Sequence, residues 1–119
     1  MVEADSPLRQ KSYDFALAVV KEVRKLRERI REFELTGQLI RSATSIGANV
    51  EEANAGQTKK DFVAKMAIAA KEANESRYWL RLLRDAEILN QETAERLIKD
   101  CEELIRMLTA TVKTAQQRI

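Results

Sequence analysis

The 119-residue chain contains no histidine, one cysteine, one proline and three glycines. Without imidazole there is no histidine base and no histidine-containing metal site. A single cysteine forbids an intramolecular disulfide and leaves too few thiolates for a structural metal site. The scarcity of Gly and Pro argues against a turn-rich all-β fold and against a Pro/Gly-rich disordered chain. No apolar run approaches the length of a bilayer span. The N-terminus is acidic and polar rather than basic and then apolar, so no secretory signal is read there. A cytoplasmic protein without a membrane partner is expected.

What remains is 45% hydrophobic and 34% charged, the balance of a soluble globular protein, in a length that suits one domain spanning residues 1–119. The 21 basic and 19 acidic residues nearly cancel, and no basic tail or run stands out. Composition alone therefore gives nucleic-acid binding little support.

Four segments carry helical periodicity. Ser6-Pro7 suits an N-cap followed by the first helical residue, with residues 1–6 expected to fray, and Ser12 with Asp14 offers a second start. Phe15, Val19, Val23, Leu26 and Ile30 follow as the first apolar stripe. A break is expected at Glu34 to Gly37, with Thr36 as cap, before the seam Leu39, Ala43, Ile46, Val50 and Ala53. Gly47 lies among small residues, which favours close approach of a neighbouring helix over a kink. Gly56 is expected to end this helix in a left-handed conformation. Thr58 and Asp61 resemble a capping box for a third helix from Lys59 to about Ile88, with Phe62, Met66, Ala69, Ala73 and Leu80 as its stripe and Trp79, Leu82 and Ala86 beside it. Asn90 caps a fourth helix. Its main seam is Ala94, Leu97, Cys101, Leu104, Leu108, Thr111 and Ala115, and a second line runs Ile98, Ile105, Val112 and Ile119.

These segments and short links predict an all-α, antiparallel up-and-down four-helix bundle. The second apolar lines point to burial against another chain, so Trp79, Leu82, Ile98, Ile105 and Val112 are the expected oligomer seam. One wide core would account for the same lines.

Chemistry is sparse. Glu51, Glu52, Glu72 and Glu75 could meet between helices two and three, but a di-iron bundle needs Glu-x-x-His motifs that this chain lacks. An all-carboxylate magnesium site is the remaining metal reading, against ion pairs of Glu72 and Glu75 with Arg41, Arg77 or Arg81. Arg41, Asn49, Glu72 and Glu75 are accordingly read as structural or subunit contacts. Ser42 and Ser45 have no base beside them in sequence, and Cys101 sits on an apolar seam where an inert thiol is the rule. No catalytic residue, cofactor or metal is assigned. Lys59, Lys60, Lys65, Arg77, Arg81 and Arg84 are the candidate phosphate contacts, interrupted by Asp61, Glu75, Asp85 and Glu87. Tyr78 and Trp79 could stack on bases.

Several of these segments together resemble a bacterial family. They are Ser12, Phe15-Ala16, Gln38-Leu39-Ile40-Arg41-Ser42, Thr44-Ser45-Ile46-Gly47-Ala48-Asn49-Val50-Glu51-Glu52-Ala53 and Lys60-Asp61-Phe62. Lys71-Glu72-Ala73, Glu75, Tyr78-Trp79-Leu80 and Leu82-Leu83 continue the match. The chain is thereby similar to the 23S ribosomal RNA intervening-sequence proteins, and more distantly to accessory proteins of diversity-generating retroelements. It departs from the commoner pattern at Gly47, where many relatives carry an Ile-Pro pair, and its surface is less basic than a dedicated retroelement accessory protein would have. The resemblance implies four-helix subunits arranged as a ring-shaped homopentamer. The function expected is a non-enzymatic homo-oligomeric scaffold or adaptor with a protein partner. The alternative is a nucleic-acid-binding or ribonucleoprotein accessory protein that partners a reverse transcriptase and contacts RNA or DNA.

Overall fold

The computed structural model describes residues 6–56 and 58–117. Of the expected frayed segment only Ser6 falls within this range, and Ile119 lies outside it. Four helices follow one another: α1 (Pro7–Arg29), α2 (Glu34–Asn54), α3 (Lys59–Asp85) and α4 (Gln91–Gln117). No strand occurs among the described residues.

Each helix begins for a local reason. Ser6 Oγ accepts from the Arg9 amide at 3.3 Å and Pro7 opens α1. The alternative start at Ser12 is not used, because Ser12 is buried inside α1 and its hydroxyl donates back to the Arg9 carbonyl. Thr58 Oγ1 accepts from the Asp61 amide at 3.0 Å, and Asn90 Oδ1 accepts from the Thr93 amide at 3.1 Å.

The start of α2 corrects the sequence expectation. The break falls at residues 30–33, and Thr36 is a buried residue of the first turn rather than the cap. Glu32 takes the capping role: its two carboxylate oxygens accept from the amides of Leu35 at 2.9 Å and Thr36 at 3.0 Å. A carboxylate can reach over the helix end and meet two orphan donors at once, which one hydroxyl cannot. Ile30 terminates α1 as its C-cap and is exposed, so it leaves the stripe.

Two further corrections concern chain reversals. Gly56 does not adopt positive φ. Its value is space, since a Cβ there would lie 3.1 Å from the Ala53 carbonyl oxygen and 3.4 Å from Asp61 Cβ. The left-handed residue is Glu87, at φ 60, and it stops α3 at Asp85 rather than Ile88. The Ile88 amide donates to the Leu83 carbonyl and the Glu87 amide to the Arg84 carbonyl, both at 3.0 Å, the paired closure of a Schellman end.

The periodic residues converge on a single core. Phe15, Val19 and Val23 of α1 meet Leu39, Ala43, Ile46, Val50 and Ala53 of α2, and Leu26 is buried beyond them. Phe62, Met66, Ala69, Ala73, Leu80 and Leu83 of α3 and Ala94, Leu97, Cys101, Leu104 and Leu108 of α4 complete it. Full burial of a side chain such as Ile46 or Leu80 contributes about 1.5–3 kcal/mol. Contacts run α1 to α2, α2 to α3, α3 to α4 and α4 back to α1, with no diagonal pair, so the bundle closes up-and-down. The molecule measures 48 × 23 × 20 Å, near the roughly 40 Å rise of a 27-residue helix. α2 and α3 meet most extensively and α1 and α4 least. Gly47 faces α1, where a Cβ would sit 3.6 Å from the Ser12 carbonyl oxygen, and α2 runs unbroken through it. The glycine therefore marks close helix approach.

Candidate functional site

The densest polar arrangement bridges the outer side of α2 and α3. Glu72, Glu75 and Trp79 succeed one another along α3 at helical spacing, and Arg41 projects from α2 onto them. Arg41 Nη1 donates to Glu72 Oε2 at 3.1 Å, and Arg41 Nη2 donates to Glu75 Oε2. The same Glu75 oxygen accepts from Trp79 Nε1 at 3.1 Å, and the Trp79 ring meets Tyr78 edge-on with centroids 5.0 Å apart. The hydrogen bond to Glu75 is the main influence raising the Arg41 pKa above its ordinary value, so the guanidinium is permanently cationic. Glu72 is largely buried, and removal of Arg41 would leave its charge without its partner.

Beneath this surface pair, Ser42 and Ser76 are wholly buried with their hydroxyl oxygens 2.9 Å apart, and the carbonyls of Leu39 and Glu72 supply further acceptors. They join α2 to α3 in a position that a larger residue would occupy only by forcing the helices apart. Cys101 donates to the Ala73 carbonyl at 3.1 Å, and burial pushes its thiol up to about 12. It is therefore protonated and unreactive near neutral pH.

The four carboxylates considered for a metal do not converge. Glu51 pairs with Arg9, Glu52 with Lys65, and Glu72 and Glu75 with Arg41. No group of three or more Cys, Asp or Glu among the described residues is arranged to hold an ion. Asn49 is half-buried and turned onto its own helix, donating to the Ser45 carbonyl at 2.8 Å.

The candidate phosphate contacts are divided. Lys59, Lys60 and Lys65 stand at the start of α3 and Arg81 and Arg84 at its end, about 38 Å from Lys59 to Arg84 at the helical rise. Lys65 pairs with Glu52 at 2.8 Å, Arg77 with Glu102 at 3.8 Å, and Arg84 with Asp85 at 2.8 Å, while Lys59, Lys60 and Arg81 are exposed. One compact site does not contain all six.

The apolar seam also divides. Ile98 is a core residue, and Ile105 and Val112 are half-buried against the core, so this line of α4 serves the wide interior. On α3, Trp79 is half-buried against the core in the same way and Leu82 is half-buried, while Ile68 and Tyr78 on the same helix are 43% and 54% exposed. Ile68 and the exposed Phe33 at the α1–α2 turn were not singled out from the sequence. Phe33 stands between two glutamates and Ile68 within the apolar run Met66 to Ala70, so neither is marked out by spacing, and only the fold shows which side each faces.

The carboxylates of this site and the buried hydroxyls and thiol are paired within a closed antiparallel helical bundle, the class to which this molecule belongs. The chain is a member of the 23S rRNA-intervening sequence protein family, whose pattern matches residues 4–110. A solved structure similar to it is that of a protein with unknown function from the S23 ribosomal protein family of Bacteroides thetaiotaomicron VPI-5482, determined at 1.70 Å resolution. The two are 40% identical with a TM-score of 0.86, over 89% of this chain and 98% of that one. No curated protein matches the chain. Neither the family nor the solved relative carries a catalytic description.

Proposed function

We propose that the protein is a non-enzymatic helical scaffold or adaptor that assembles with copies of itself into a ring of five, without a cofactor and in the cytoplasm. The observation that carries this reading is the outer side of α3. Ile68, Trp79 and Leu82 recur at intervals of eleven and three, with Tyr78 beside them, and the exposed Ile68 and Tyr78 together with the half-buried Trp79 and Leu82 leave apolar surface open beyond the core. A flank of this kind, meeting a different flank of the next copy, generates a closed ring when the rotation matches. The number five comes from the family resemblance. Arg41 and Glu75 border the strip, where a charge pair fixes register better than it adds stability. No helix among the described residues is long and apolar enough to cross a membrane, in keeping with this placement.

Sedimentation velocity of Leu82→Glu beside the wild type tests the reading. The variant sediments as a monomer with unchanged helical circular dichroism, whereas the wild type is a single larger species. A wild type that is monomeric at micromolar concentration, or a Leu82→Glu variant that assembles equally well, overturns it. Ile105→Glu is the poorer probe, because Ile105 packs against the subunit's own core.

The second reading, a nucleic-acid or ribonucleoprotein accessory protein that partners a reverse transcriptase, requires cationic groups gathered in one place. The six α3 residues fall into a lysine group at one end of the bundle and Arg77, Arg81 and Arg84 toward the other, where Arg29 shares a depression of 620 Å³ with Arg84 at the C-terminal end of α1.

A further inference from the structure

We propose that the α1–α2 turn is a contact site for single-stranded nucleic acid, with Phe33 as the stacking surface and Arg27, Arg29 and Arg31 as the phosphate-binding groups. It deepens the second reading and is independent of self-assembly. Phe33 is 51% exposed although it is a large aromatic residue, and its neighbour Ile30 is also exposed. The Arg27 guanidinium lies 5.1 Å from the Phe33 ring centroid and that of Arg31 lies 6.0 Å away. These two cations differ in freedom. Arg27 is anchored, with Nε and Nη2 both donating to Thr36 Oγ1 at 3.1 and 2.9 Å. Arg31 is exposed at the outer limit of cation–π contact and can turn to a phosphate while a base takes its place on the ring.

Arg27 is held on Thr36 and its charge acts on Glu32, while Arg29 and Arg31 are the freer groups. Arg27, Arg29 and Arg31 enter no ion pair among the described residues, whereas Arg9, Arg41, Arg77, Arg84 and Arg96 all do. Glu32, the acid inside the turn, is spent on the Leu35 and Thr36 amides. Asp85, beside Arg29 in the shared depression, is matched by Arg84. Glu87 lines the same depression and is exposed, as are Glu28 and Glu34, which neighbour the three arginines in sequence. An acidic peptide would satisfy the guanidinium groups but would have no flat π-surface for Phe33. A nucleic-acid strand supplies both phosphate and base, the combination that single-strand binding surfaces exploit.

Fluorescence anisotropy with a labelled oligouridine dodecamer, titrated between about 50 and 200 mM salt, tests the proposal. The wild type binds, with affinity falling as salt rises. Arg31→Ala removes roughly 0.7 from the slope of log affinity against log salt, the share of one single-strand phosphate contact. Phe33→Ala weakens binding about fivefold or more at every salt concentration and leaves the slope unchanged, while Phe33→Tyr restores it. Lys113→Ala, at the far end of the bundle, binds as the wild type does. Residues 31 and 33 lie outside the helices, and an unchanged circular dichroism spectrum establishes that the variants are folded. The proposal fails if the wild type gives no anisotropy change at about 100 µM protein in the lowest salt. It also fails if Phe33→Ala binds normally, or if polyglutamate displaces the oligonucleotide equally from wild type and Phe33→Ala.

Discussion

Replacement of Gly47 by alanine should stabilise the bundle, and its magnitude follows from two opposing terms. Glycine in the interior of a helix is about 0.8–1 kcal/mol less favourable than alanine. The opposing term is the space a methyl group needs against α1. A Cβ at this position would lie 3.6 Å from the Ser12 carbonyl oxygen and 3.7 Å from Ser12 C and Oγ, which is ordinary contact and asks no shift of the backbone. Gly47→Ala therefore gains about 0.5–1 kcal/mol. With a urea dependence near 1.5 kcal/mol per molar, the unfolding midpoint rises by roughly 0.3–0.7 M. Gly47→Leu has the opposite sign, because the longer side chain must displace the Ser12 backbone at a cost of about 1–3 kcal/mol. Both shifts are read from far-ultraviolet circular dichroism at one protein concentration, since assembly would add its own stabilisation. A lower midpoint for Gly47→Ala would mean that α2 depends on glycine flexibility. A Gly47→Leu variant as stable as Gly47→Ala would mean that α1 does not pass close by.

Two further substitutions probe the helix ends. Glu87→Gly relieves a left-handed conformation that costs other residues about 1–2 kcal/mol, against a gain in unfolded-chain freedom of about 0.4–1 kcal/mol. Thermal denaturation should show a melting temperature higher by about 2–5 °C, and a lower one would contradict the closure described at Leu83 and Arg84. Glu32→Ala removes the α2 cap and should cost about 0.5–2 kcal/mol at neutral pH. Burial opposes the Glu32 charge, but amides at Leu35, Thr36 and Glu34 and the charge of Arg27 outweigh it and hold the carboxyl below its ordinary value. The stabilising charge is thus present above the unfolded carboxyl value and is lost as pH falls through the folded one. The stability gap between wild type and Glu32→Ala, measured by urea denaturation, should narrow on acidification; a gap unchanged at about pH 3 would contradict this assignment.

Most of the architecture was legible in the sequence because spacing alone decides which side chains share a helix face. The stripe of α2, the main stripe of α3 and the α4 seam from Ala94 to Leu108 became core as expected, whereas Thr111 and Ala115 at the end of that seam are half-buried, and Ser6, Thr58 and Asn90 cap as their side chains suggest. Where two residue types compete for one role, sequence was a poorer guide. Thr36 has the usual capping hydroxyl, yet the helix starts two residues earlier with Glu32 on the Leu35 and Thr36 amides, and Thr36 is left to receive Arg27. Gly56 is the usual left-handed residue, yet Glu87 takes that conformation because the Leu83 and Arg84 carbonyls need donors there. The Arg41, Glu72 and Glu75 cluster could be anticipated from charge and phase. Its link to Trp79, and the gathering of Arg27, Arg31 and Phe33 around a turn, depend on where the chain reverses.

The number of subunits bears most directly on the scaffold reading. Native mass spectrometry of gently purified wild-type protein should give one dominant particle of five chains, which separates into folded monomers when Leu82 is replaced by Glu. A wild-type protein found only as a monomer would assign the exposed side of α3 to the solvent and remove the ground for an assembling scaffold.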